Sequence, residues 1–270
     1  VAQPTISTSL IRELRLPVIS ERIQTLLQEM LETADKLALE SCSLLMRAEQ
    51  TLLAVLGLND WRPPEPLTYT CGSRDVLSTQ RLDAEYFLPK YGALYVEMKS
   101  RLDLKALAVA GQVTKGVTVA YADEGLIPII RSGDLVDISD DERFLRSNKT
   151  ADIFYLERGD VLISSIGFGS IGKVQVFDRE GKYGTVSEVT VVRQKSFNPY
   201  YLAAYLRSMA GQMQIERYIT GATGQLHLYP KDVAKILVPV IPEKEQNAFE
   251  TIALRAAAFK QEARDLLASL

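Results

Sequence analysis

The sequence predicts an α/β (α+β) chain in which a mixed, strand-rich domain is flanked by two long helices, forming an antiparallel helix pair or coiled coil. Three observations predict this. One apolar stripe runs from residue 18 to 57. A second holds a 3-4 spacing from residue 243 to the C-terminus. Gly, Asp and Ser cut the stretch between them into short apolar or alternating runs.

In the first stripe Ile23, Leu27, Met30, Ala34, Leu37, Ser41, Leu44 and Ala48 recur at spacings of three and four, which places them on one helix face. A second line, Leu31, Ala38, Leu45 and Leu52, repeats every seven residues and widens that face. Ser20 stands where an N-cap belongs. Glu21 follows in the first turn, where the helix dipole favours an acid, and Gly57 is a natural stop. The following "NDWRPPEP" cannot continue a helix. At the other end Pro242 precedes a helix from about Glu243, with Phe249, Ile252, Ala256, Phe259, Ala263, Leu266 and Leu270 as its seam. Either stripe alone also fits the core face of an ordinary helix. Two of them at opposite ends favour a pair that packs on itself or on a second subunit.

An internal repeat supports the pairing. "LRLPVISERIQ", residues 14–24, aligns with "ILVPVIPEKEQ", residues 236–246, at an offset of 222. Pro17, Val18, Ile19, Glu21 and Gln24 meet Pro239, Val240, Ile241, Glu243 and Gln246. In both copies a short apolar strand is expected to end and a long helix to begin. The expected organisation is a tail strand of a preceding repeat unit at 1–17, a long helix at 18–58, a mixed middle domain at 59–242 and a coiled-coil helix at 243–270.

Within residues 59–242, "GLIPIIRSGDL", "GDVLISSIG", "GKVQVFD" and "EVTVVRQ" read as strands. "NPYYLAAYLRSMAGQMQIERYITG" reads as one helix, with Asn198 as cap, Pro199 at its first position and Gly221 beyond its end. "YPKDVAKILVPVI" reads as a helical turn followed by the repeated strand.

Composition bounds the chemistry. Hydrophobic residues make up 47%, which excludes wholesale disorder. The formal net charge of −3 selects no partner, since nucleic-acid binding depends on a local basic face. Cys42 and Cys71 form no motif and read as reduced thiols of a cytoplasmic protein. With His227 as the one histidine, the sequence shows no zinc-binding pattern. No apolar run reaches the ~18 residues of a spanning helix.

Three motifs carry possible chemistry. Gly167-Phe168-Gly169-Ser170-Ile171-Gly172 spells the G-x-G-x-x-G of a dinucleotide-binding turn. That turn must open a helix, yet "KVQVF" follows, an alternating strand, so the reading is a glycine-rich hairpin flanked by Ser165, Ser170 and Lys173. "NPYY", residues 198–201, approaches the Asn/Asp-Pro-Pro-aromatic loop of adenine amino-methyltransferases. Its second proline is a tyrosine, and no glycine-rich S-adenosylmethionine loop lies upstream. "GATGQLHLYPKD", residues 221–232, gathers Thr223, Gln225, His227, Tyr229 and Lys231, side-chain types that reach base edges and phosphates, though a plain polar loop reads the same. The basic residues of the middle domain form no run, and the sequence leaves open whether they gather on one face.

In this order, "GLIPIIRSGDL", "LERGDVLISSIGFGSIGKV", "NPYYLAAYLRS" and "GATGQLHLYPKDVAKILVPVIPEKEQ" resemble a target recognition domain from the specificity (S) subunit of a type I restriction–modification enzyme, over roughly residues 80–270. The N-terminal "LRLPVISERIQTLLQEML" resembles the same domain-to-helix junction from a preceding unit. The resemblance implies a non-catalytic domain that reads one half of a split double-stranded DNA target through the major groove. The long helices would act as spacer and as docking site for a methyltransferase (modification) subunit carrying S-adenosylmethionine. A restriction subunit with motor and nuclease activity completes such systems, and this chain itself needs no cofactor. A dimer formed through the helices is one expectation. The start at Val1 and the truncated first repeat favour another, a recognition portion fused behind a methylase; a coiled-coil protein-binding adaptor is the third. DNA contact is expected at Lys115, Arg131, Ser165, Gly167, Gly169, Lys173, Thr223, Gln225 and His227.

Overall fold

The computed structural model describes residues 7–15, 17–138, 141–148, 153–167, 169–221 and 226–269. Among these the elements run α1 (Thr8–Glu13), α2 (Glu21–Val55), α3 (Ser73–Thr79), α4 (Pro89–Lys99), β1 (Leu104–Ala106), α5 (Leu107–Ala110), β2 (Gly111–Lys115), β3 (Ile127–Ile130), β4 (Leu145–Ser147), β5 (Phe154–Tyr155), β6 (Val161–Ser164), β7 (Val174–Val176), β8 (Gly184–Thr185), β9 (Val189–Gln194), α6 (Pro199–Arg207), α7 (Met209–Tyr218), α8 (Pro230–Val233), β10 (Leu237–Pro239) and α9 (Glu243–Ala268). The chain divides into a smaller unit, residues 1–43 with 255–270, and a larger one, residues 44–254. No helix among the described residues is long and apolar enough to cross a membrane.

In the smaller unit α2 and α9 pack through small residues. Ala34, Ser41, Ala256 and Ala263 are buried, and the Ser41 hydroxyl donates to the Ala256 carbonyl at 2.8 Å. Short side chains let two helix backbones approach closely. The second heptad line behaves differently: Leu31, Ala38 and Leu45 are exposed, while Leu52 is buried in the core of the larger unit. α2 ends as its sequence requires. Gly57 takes φ +69°, its N–H reaches the Ala54 carbonyl at 3.0 Å, and the Leu58 N–H reaches Leu53 at 2.7 Å. These paired bonds satisfy the last carbonyls of the helix.

The larger unit is built on the four-stranded sheet β2-β9-β6-β7, antiparallel throughout. A second sheet, β4-β3-β8-β5, is mixed, with β3 and β8 parallel, and β1 pairs antiparallel with β10. Successive residues of β6 enter different cores. Val161 and Ile163 join the helical side with Tyr201, Leu202 and Tyr205, whereas Leu162 joins Ile129, Ile130, Phe177 and Val191. A strand covered on both faces needs apolar side chains at every position, which is why "VLI" does not alternate.

The "GD" before β6 closes this arrangement. Asp160 is buried and accepts from the Glu157 N–H at 2.8 Å. It also accepts two bonds from Arg193 of β9, at 2.8 and 2.7 Å, whose pKa that hydrogen bonding raises.

One expectation is corrected. Residues 198–221 form two helices, not one. Ser208 adopts φ −64°, ψ 163° and caps α7, accepting from the Gly211 N–H at 3.5 Å. Gly211 lies so close to the Tyr205 carbonyl that a Cβ would overlap it. The first repeat copy holds no strand among its described residues. Pro17 is exposed, while its counterpart Pro239 pairs with Leu104 of β1 as part of β10. A strand requires a neighbour for its backbone groups, and β1 supplies it to the second copy.

Replacing Asp160 by alanine leaves the Arg193 guanidinium without its buried partner and is expected to lower the unfolding free energy by about 3 kcal/mol. Urea denaturation followed by far-UV circular dichroism measures this. A loss below about 1 kcal/mol, the range of a screened surface pair, would show that the contact does not hold β6 to β9.

Candidate nucleic-acid interface

The register of the central sheet brings distant segments to one edge. Lys115 at the end of β2 lies opposite Thr190 at the start of β9; Ser164 at the end of β6 lies opposite Val189; and Ile163 lies opposite Val174 at the start of β7. The second sheet delivers its strand ends to the same place. β3 and β8 run parallel with Ile130 opposite Thr185, and β8 leads through Val186–Glu188 into β9. Val117 bridges Val186.

The glycine loop between β6 and β7 forms part of this edge. Its expected hairpin is present, with Val161 opposite Val176, and a strand follows Gly172, not a helix. Gly167, Gly169 and Gly172 take φ +103°, +78° and +83°, a region that side chains other than glycine's resist. The loop is cross-tied by Gly172 N–H to Ser164 at 2.9 Å, Ile171 N–H to Gly167 at 3.1 Å, and the Ser170 hydroxyl to the Ile166 carbonyl at 2.9 Å. The three glycines therefore serve backbone curvature.

His227 joins the loop through the main chain. Leu228 N–H reaches Ser165 at 2.8 Å and Gly167 N–H reaches Leu226 at 3.3 Å, while His227 and Thr220 exchange both backbone bonds. The imidazole stacks on Tyr229, 5.9 Å between centroids and 13° between planes, and Lys231 lies 5.8 Å from the Tyr229 ring. Thr223 and Gln225 lie outside the described residues.

The remaining candidates differ in what they can offer. Lys115 is exposed and Lys173 half-buried, and neither has an ion pair among the described residues. The Arg131 guanidinium is held by Asp134, at 3.1 Å through Nε and 3.2 Å through Nη2, which raises its pKa. Ser165 requires a correction as a contact residue. Its side chain is buried and shares a 2.5 Å hydrogen bond with Thr190, so its hydroxyl faces the protein interior. The "NPYY" segment is committed to structure: Asn198 Oδ1 accepts from the Tyr200 N–H at 2.9 Å, and the buried Tyr201 hydroxyl donates to Pro239 at 2.7 Å.

Sequence reasoning missed three residues of this edge: the exposed Tyr121 and Glu188 and the half-buried Ser132. The Ser132 hydroxyl donates to the Glu188 carboxylate at 3.2 Å, which ties the end of β3 to the β8–β9 turn. Tyr121 lies within electrostatic reach of Arg131 and Glu188, and burial raises its pKa. Their one signal was proximity in the chain to strand ends, since the pairing of β3 with β8 is non-local. No group of three or more His, Cys, Asp or Glu side chains among the described residues could hold a metal ion.

No family model matches the chain, and no curated protein matches it. Several solved structures do. The type I restriction–modification S subunit from M. genitalium aligns at a TM-score of 0.56 and 16% identity, covering 92% of this chain and 56% of that one. The HsdS subunit from Thermoanaerobacter tengcongensis aligns at 0.46 and 16%, covering 91% and 54%. A chain from a structural study of complex assembly and conformational transition of the type I R-M system aligns at 0.48 and 15%, covering 92% and 54%. The chain thus spans about half the length of these proteins, and the fold assignment rests on the first. In fold, the chain resembles a type I restriction–modification specificity subunit.

Proposed function

We propose that the chain is a sequence-specific double-stranded DNA recognition module that directs a partner adenine methyltransferase, and in complete systems a nuclease, to one half of a bipartite target. The observation that carries this reading is the convergence at one sheet edge of Lys115, the glycine loop, Lys173, Arg131 and the His227–Tyr229–Lys231 stack. Unpaired lysines supply sequence-independent attraction to phosphates. Loops on a rigid sheet present polar groups to base edges. The chemistry then resides on the partner, with S-adenosylmethionine bound there. The packed α2–α9 helices are the proposed site of partner docking and of dimer formation, with residues 59–242 as the recognition domain.

Fluorescence anisotropy of the full chain with labelled duplexes, alone and with a methyltransferase partner, tests the reading. Binding is expected to weaken steeply with salt. In a Lys115→Ala, Lys173→Ala double variant, affinity should fall uniformly across sequences, and the log–log salt slope should become shallower by about 0.9 per lysine. Binding that is absent or insensitive to salt would reject the proposal and favour a protein-binding adaptor.

Ser165→Ala separates folding from contact. It leaves the Thr190 hydroxyl buried without its partner, so stability should fall by about 2 kcal/mol. DNA affinity, measured below the melting transition, should stay at the unsubstituted value. A specific loss of affinity would restore Ser165 as a reader.

A further inference from the structure

The edge proposed to meet DNA carries an acid where phosphates favour cations. Glu188 is exposed in the turn between β8 and β9, so it sits where the second sheet hands the chain to the first. Its backbone is held from several sides. The Ser165 N–H donates to the Glu188 carbonyl at 2.8 Å, Ser187 N–H reaches Val117 at 3.1 Å, Val189 N–H reaches Val186 at 3.0 Å, and Gly116 N–H reaches Val189 at 3.1 Å. Arg131 lies within electrostatic reach of this carboxylate but directs its Nε and Nη2 hydrogen bonds to Asp134. Among the described residues, the hydrogen bond to the Glu188 side chain comes from the Ser132 hydroxyl at 3.2 Å. A rigidly mounted carboxylate with most of its acceptor capacity open is costly on a phosphate-facing surface unless it meets a donor.

We infer that Glu188 is a specificity-determining residue that accepts a hydrogen bond from the exocyclic N4 amino group of a cytosine in the major groove. This inference rests on the DNA-recognition reading above. The major-groove code selects the base. Guanine offers the acceptors N7 and O6, thymine offers the acceptor O4, and adenine places the acceptor N7 beside its N6 donor, so each sets a lone pair against the carboxylate. Cytosine alone presents a donor without a neighbouring acceptor on its own edge. The same charge repels the backbone, so Glu188 trades general affinity for discrimination.

The test is selection of bound duplexes from a randomised library by the full chain, with Glu188→Ala and Glu188→Gln alongside, each checked for an unchanged thermal transition. The unsubstituted chain should enrich a cytosine at one position, preferred about ten-fold, the scale of a single base-edge contact. Glu188→Ala should lose the preference at that position alone, while its affinity for unrelated duplexes rises. Glu188→Gln, whose amide can both accept and donate, should move the preference at that position towards adenine. If the unsubstituted chain enriches a sequence and both variants enrich the same one, Glu188 is only a repulsive surface acid and the inference fails. If the unsubstituted chain enriches nothing and binds no duplex, the DNA-recognition reading fails with it.

Discussion

The larger unit depends on one constraint: the central strands of the sheet β2-β9-β6-β7, β6 and the first four residues of β9, are buried on both faces. Val161, Ile163 and Val192 face the helical core, while Leu162, Val189 and Val191 face the second sheet. Each strand residue therefore contributes to one of two cores, and neither forms without the strands the other also needs. Buried polar groups here are mostly paired, as Asp160 is with Arg193 and Ser165 with Thr190, while the Ser164 hydroxyl has no hydrogen-bond partner among the described residues. What remains for a ligand is the rim. The strand ends at Lys115, Ser164, Val174 and Val189 bring Lys115, the glycine loop, Lys173 and Glu188 to this rim. A doubly covered sheet thus exports its function to its edge, for the same reason that its interior is apolar.

Rim geometry also accounts for a chain whose total charge is slightly acidic. At this edge Asp134 is already paired with Arg131, as Asp160 is with Arg193 at the other end of β6. Lys115 and Lys173 keep their charge uncompensated among the described residues. Local imbalance, not the sum, is what a polyanion senses within a Debye length of about 8 Å. Glu188 is the exception at this edge, and its mounting on well-bonded backbone separates it from an ordinary solvated loop acid.

Much of the fold was legible because its signals are local. The extent of α2, the stop at Gly57, the strands β6, β7 and β9, and the hairpin context that disqualifies the G-x-G-x-x-G motif all follow from spacing within about twenty residues. The break at Ser208 was hidden because Ser, Met and Ala are all compatible with a helix, and the close approach of Gly211 to Tyr205 is a packing fact. The candidate site was legible in part. The loops were found from their composition, but burial of Ser165 and the commitment of Arg131 to Asp134 depend on register and rotamer. Glu188 was read as the first letter of a strand, since nothing near it in sequence reveals that parallel pairing of β3 with β8 sets it beside Ser132.

The repeat separates these two kinds of information within one chain. In both copies the helix entry is made by the same side-chain bond: Gln24 Nε2 donates to the Ile19 carbonyl, and Gln246 Nε2 donates to the Ile241 carbonyl, each at 2.9 Å. That geometry spans five residues and forms in either setting, because the segment itself supplies donor and acceptor. The strand before it does not. In the second copy Leu237–Pro239 meets Leu104–Ala106, Ile241 and Gln246 are buried, and the Gln246 Oε1 receives the Asn198 N–H at 2.8 Å. In the first copy Gln24 is exposed and Ile19 half-buried, and the described residues before the helix join no ladder. The same residues thus encode a helix entry outright but only half of a strand, because half of a strand's hydrogen bonds belong to another segment.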